Sequence, residues 1–138
     1  MFSDESLYHE LMCYTLAHPS PAFPHQYVVD AHCAQHATEA TKPVAITFAL
    51  AGLCLHLEHH FTGREVQRAH MRMAQHRRQW LSPALPAERG AMTVEHVLAA
   101  EPGGERDAAI DRWCGSVWRA WRHAHAEIAD LLRQELGL

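Results

Sequence analysis

Five residues carry the chemistry that this chain can be expected to do: His25, Asp30, His56, Glu58 and His70. Imidazole and carboxylate are the side chains that helical bundles turn inward to hold a divalent ion, and the combination suits Zn, Fe or Mn. His25, His56 and His70 are read as the metal ligands. Asp30 and Glu58 are read as the catalytic carboxylates, either orienting a liganding imidazole or acting as general base toward bound water. The plainer readings stand beside these. A lone His on an apolar face is commonly a hydrogen-bonded core residue, and a carboxylate at a helix end is commonly a surface charge. His70 is the sharpest ligand candidate because its stripe neighbours, Val66 and Met73, are apolar.

The element that must position them is residues 43–60, PVAITFALAGLCLHLEHH. From Pro43 to Leu57 only Thr47 and His56 are neither apolar nor small, and a helix that is apolar all round is a buried one. The run is too short, and too soon followed by charge, to span a membrane. It reads as the central helix of a bundle whose last turn changes abruptly to His56, Glu58, His59 and His60.

Around it the chain reads as helices throughout. Residues 4–17 form a first helix with Ser3 as cap, and Pro19, Pro21 and Pro24 break the chain after it. Residues 25–39 form a second, with Val29, His32, Cys33 and His36 on one stripe and Gln26, Asp30 and Ala37 on the next. Thr62 and Glu65 form a capping box that starts a helix running to about Trp80. Its Arg64, Arg68 and Arg72, extended by Arg77 and Arg78, make a basic row that reads as a solvated face or, less favoured, a clamp for carboxylate or phosphate. Residues 81–92 read as loop, and Thr93 caps a short helix ending near Ala100. Residues 105–136 read as one long last helix. The fold class is all-α: a single domain over 1–138, a helical bundle of about four long helices and one short one, with no strand-period stretch.

Short loops make neighbouring helices antiparallel and allow heights to be estimated. Residue 25 falls opposite 58, 30 opposite 53, and 70 opposite 53 or 54. Cys13, His25, Asp30, Cys54, His56, Glu58 and His70 then span about 7.5 Å of rise, compact enough for one site if the side chains converge. An added thiolate would favour Zn.

Composition narrows the partners. Net charge is −4 with His neutral, so no global field favours nucleic acid or an anionic membrane. The 13 histidines outnumber Lys plus Arg, at 12, making the chain histidine-rich without forming a tract. His59, His60, His76, His123 and His125 read as mostly solvated. The acidic N-terminus lacks a basic region followed by an apolar core, so a cytoplasmic protein is expected. Cys13, Cys33, Cys54 and Cys114 lie on separate helices without CxxC spacing and read as reduced thiols.

Tyr8-His9-Glu10-Leu11, His25-Gln26 with Val29-Asp30-Ala31, and Phe61-Thr62-Gly63-Arg64 with Val66-Gln67 and His70-Met71 resemble a family of small uncharacterised bacterial proteins known as a domain of unknown function. The resemblance covers most of the chain and implies a bacterial cytosolic protein with no activity to carry over. DinB-type metal bundles share the expected architecture, but their His-x3-His pair on the final helix is absent, since His123 and His125 are two apart. The expected function is a metal-binding bundle acting as a small metalloenzyme on a small-molecule substrate. The alternative is a non-enzymatic interaction protein, a homodimer formed through the last helix, whose Trp113, Trp118 and Trp121 cannot all face one core and so leave some exposed to a partner.

Overall fold

The computed structural model describes residues 3–76 and 79–138. Among them are seven α-helices and no strand: α1 (Asp4–Ala17), α2 (His25–Gln35), α3 (Pro43–His59), α4 (Gly63–His76), α5 (Val94–Ala99), α6 (Gly104–Ala120) and α7 (His125–Leu136). No helix among the described residues is long and apolar enough to cross a membrane.

The helix starts are chemically legible. The Ser3 hydroxyl accepts the Ser6 N–H at 3.1 Å. Glu65 donates its N–H to Thr62 Oγ1 at 3.2 Å, and the Glu65 carboxylate accepts the Thr62 N–H at 2.9 Å. These are the donors a helix start otherwise leaves unpaired. Pro43 sits in the first turn of α3, where its missing N–H costs nothing.

The bundle is wound on α3, against which α2, α4, α6 and α7 all pack. Ile46, Thr47, Ala49, Leu50, Ala51, Gly52, Leu53, Cys54 and Leu55 are all buried there. Fully burying a residue such as Leu50 contributes about 2 kcal/mol. The helix stops at His60, which takes the left-handed conformation (φ 59°), and Phe61 N–H bonds back to the Leu55 carbonyl at 3.0 Å. The chain therefore turns two residues before Thr62. Gly63, opening α4, donates to the Ala22 carbonyl at 2.7 Å. A Cβ there would lie 1.9 Å from the Phe23 carbonyl oxygen, so only glycine lets α4 start against the loop preceding α2.

Three expectations are corrected. The second helix ends at Gln35 rather than residue 39, where Arg89 donates to the Ala34 and Gln35 carbonyls and closes its C-terminus. The fourth is helical to His76 among the described residues, and Trp80 lies outside the helix rather than at its end; Arg77 and Arg78 lie outside the described residues. The last helix is not continuous. It breaks after Ala120 into a 3-10 turn over Arg122–Ala124 before α7 begins.

That break places the tryptophans. Trp113, Trp118 and Trp121 are all buried, against the expectation that they cannot all face one core. The Trp113 indole N–H donates to Gln35 Oε1 at 2.9 Å, and that of Trp121 to the Ala34 carbonyl at 3.2 Å. Trp118 stacks on His125, which also bonds the Trp118 carbonyl, so His125 is half-buried rather than solvated. These three residues leave no exposed tryptophan face for a dimer seam.

The loop after residue 80 is tied to the core. Thr47 Oγ1 donates to the Leu81 carbonyl and accepts the Leu81 N–H. Gln35 Nε2 donates to the Arg89 and Met92 carbonyls.

Candidate functional site: a buried carboxyl between α2, α3 and α4

The first turns of α2 and α4 lie side by side because of the Gly63–Ala22 bond. Gln26 and Gln67 meet there: Gln67 Nε2 donates to Gln26 Oε1 at 3.1 Å. Gln26 Nε2 then donates to Asp30 Oδ1, also at 3.1 Å, one turn further along α2. On the outer side Arg64 donates to Gln67 Oε1 at 3.3 Å, its guanidinium lying 3.8 Å over the Phe23 ring. A polar chain thus runs from an exposed arginine through two half-buried amides to Asp30.

Asp30 is 3% exposed. Its second oxygen, Oδ2, has no hydrogen-bond partner, and no other buried side-chain oxygen or nitrogen among the described residues shares that condition. It presses against Gly52 of α3, where a Cβ would stand 1.9 Å from Oδ2. Burial pushes the Asp30 carboxyl well above the usual carboxylate range, only partly opposed by the Gln26 hydrogen bond. Tyr8, Cys33 and Cys114 are within its electrostatic reach, and burial raises all three so that they too hold their protons.

The other residues expected at a site are placed around the bundle rather than together. His25 pairs its Nδ1 with Thr15 Oγ1 at 2.9 Å; burial and then the Arg64 charge depress its proton affinity. His56 stacks on Tyr27, and its Nε2 lies 2.8 Å from Asp111 Oδ1. Glu58 is exposed and accepts the Cys54 thiol at 3.2 Å; burial and then Glu58 push that thiol up to about 12. His70 stacks on Phe48, and its Nε2 lies 2.8 Å from the Phe48 carbonyl oxygen. A carbonyl oxygen only accepts, so Nε2 carries the proton there. Burial holds His70 neutral, its pKa lowered to about 4. Among the described residues no three His, Cys, Asp or Glu side chains are gathered as metal donors. All four cysteines are free, Cys13 exposed and Cys54 buried.

The height estimate succeeded for α2 against α3, where Asp30 meets Gly52, one residue from the expected 53. It placed His70 too far along α3: the imidazole meets Phe48, because the chain already turns at His60. The family profile matches residues 5–122, which include Asp30, Gly52, Gln26 and Gln67 and stop before α7. The chain belongs to DUF5946, a family of unknown function. No curated protein and no solved structure matches it.

Two features of this DUF5946 chain outside the expected site each carry a signal in the sequence. Gly52 is a lone glycine within an apolar helix, a mark of close approach by another group. His32 and His36 have the His-x3-His spacing that the final helix lacks, and their rings lie 4.4 Å apart.

Proposed function

We propose that the chain is a helical scaffold for an acid–base centre, in which Asp30, kept as the neutral acid, gives a hydrogen bond or a proton to a small polar molecule where α2, α3 and α4 meet. The observation that carries this is the unpartnered Oδ2 of a buried carboxyl. Leaving such a group unpaired costs about 1–3 kcal/mol. A cost of that kind, kept where neighbouring polar groups are satisfied, together with a strongly perturbed proton affinity, marks a functional group. A neutral carboxylic acid can donate where a carboxylate can only accept. Gln26 and Gln67 are half-buried at the same junction and offer amide groups to orient a polar ligand.

A metal-assisted form of this reading, with Zn, Fe or Mn polarising water, draws on the same oxygen as an open donor position. It would need further donors to be recruited, because His25, His56 and His70 are each engaged at a different place.

The test is carboxyl NMR of aspartate-labelled protein, beside thermal melts of wild type and Asp30→Asn. The melts use chelator, added Zn, Mn or Fe, and a panel of small acids, amides and amines. Asp30 should titrate well above 3.8, and at least one ligand or ion should raise the wild-type midpoint but not that of the variant. The pH dependence has a definite sign. With its folded value raised above 3.8, Asp30 supports folding fully below 3.8, and that support is lost as pH rises through the folded value. Wild type should therefore lose stability relative to Asp30→Asn as pH increases. Titration of Asp30 near 3.8 would remove the proposal, as would identical ligand responses in the two proteins.

A further inference from the structure

The last turn of α2 presents a second constellation, independent of Asp30's proton. His32 and His36 are one helical turn apart, with ring centroids at 4.4 Å and planes inclined by 36°. Two metal–nitrogen bonds of about 2.1 Å place imidazole centroids about 4.5 Å apart at the right angle of tetragonal Cu and about 5 Å apart at the tetrahedral angle of Zn. The His32 ring is held in orientation by Tyr8 of α1, stacked on it at 3.6 Å with planes 6° apart. Neither ring has a hydrogen-bond partner among the described residues, whereas His25, His56 and His70 each have one.

Spacing alone does not make such a pair. His56 and His60 are also four apart, but His60 leaves the helix in the left-handed conformation and His56 is already paired with Asp111. Any ion here must be held by direct coordination to neutral imidazole, since burial and then the neighbouring His36 disfavour positive charge at His32. The pair also sits at the carbonyl end of α2, the end at which a helix favours positive charge. Asp4 attracts positive charge at His32 and lines, with His36, a cavity of 260 Å³. Arg89 lines that cavity too and opposes a cation, but its side chain is committed to the Pro86, Ala34 and Gln35 carbonyls. His9 lies 3.9 Å from Glu5.

We propose that His32 and His36 chelate a divalent first-row transition ion of the Zn or Cu type, with water completing the coordination and Asp4 sharing the adjoining cavity. Two protein nitrogens with open positions make an exchangeable site rather than a closed structural one. Because Cu binds nitrogen donors most strongly in the divalent series, it serves as the spectroscopic probe.

The experiment uses the full untagged chain. Zn binding is measured by calorimetry at neutral pH, and Cu binding by electron paramagnetic resonance, which counts coordinated nitrogens. The variants are His36→Gln, at an exposed position, His32→Phe, which keeps a ring against Tyr8, and His59→Gln/His60→Gln as a control. One strong equivalent with two nitrogens is expected in wild type and control. Each single variant should bind about tenfold or more weakly, at least the loss seen when groups supporting a metal site are removed. The exposed His36→Gln keeps the test decisive if His32→Phe folds poorly. Equal Zn affinity in wild type and His36→Gln overturns the assignment, as does loss of the strong equivalent in the control alone.

Discussion

The two seams that α3 makes with its neighbours in sequence are built from similar residues and finish in opposite chemical states. At the α3–α4 seam, His70 enters the interior, meets the Phe48 carbonyl and lays its ring on Phe48. Thr47 on the same helix is used twice, as donor and acceptor, by Leu81. At the α2–α3 seam, Asp30 enters and finds a partner for only one oxygen. An imidazole can be buried cheaply because its neutral form is already accessible near pH 7. A carboxyl must take up a proton to lose its charge, and then has a donor still to place. The first seam is therefore finished as packing, while the second retains unsatisfied hydrogen-bonding capacity.

The change that should break this contrast most strongly is Gly52→Ala. Alanine in a helix interior normally gains about 0.5–1 kcal/mol over glycine. Here the added methyl would stand 1.9 Å from Asp30 Oδ2. A net loss of about 3 kcal/mol is expected in denaturant titrations, at the upper end of ordinary overpacking. Combining it with Asp30→Ala should recover much of that loss. A single Gly52→Ala that melts higher than wild type would show that α2 and α3 do not approach as described.

His70→Ala examines the other seam and should cost about 2 kcal/mol at neutral pH, through the lost hydrogen bond to the Phe48 carbonyl and the lost ring contact. Its dependence on pH runs opposite to that of Asp30. With its folded value depressed to about 4 from 6.5, His70 supports folding above pH 6.5 and loses that support as pH falls toward 4. The gap between wild type and His70→Ala should therefore narrow in mildly acidic buffer. A gap constant from pH 4 to 7 would mean that His70 is not held neutral by burial.

The smallest expected effect sharpens the comparison by leaving both seams intact. Thr62→Ala removes the side-chain half of the α4 cap and should cost about 1 kcal/mol. It should not alter the protonation of Asp30 seen by NMR. A change there would mean that the α4 start, through Gln67 and Gln26, controls the carboxyl.

Much of the frame was legible in the chain itself. The burial of α3 follows from a run with no polar face to turn outward, and the α4 start follows from Thr62 and Glu65, whose bonds close within four residues. Such features depend on neighbours in sequence, so the sequence alone determines them. The direction in which His25, Asp30, His56 and His70 point is of another kind. Periodicity fixes a side chain relative to its own helix axis, but an all-apolar α3 sets no preferred rotation for the helices around it. Only the packed structure decided that Asp30 would press on Gly52 while the three histidines went to three different partners. The tryptophans make the same point, since their common burial required a break at residues 121–124. No local stop signal marks that break; it places three large rings in one core.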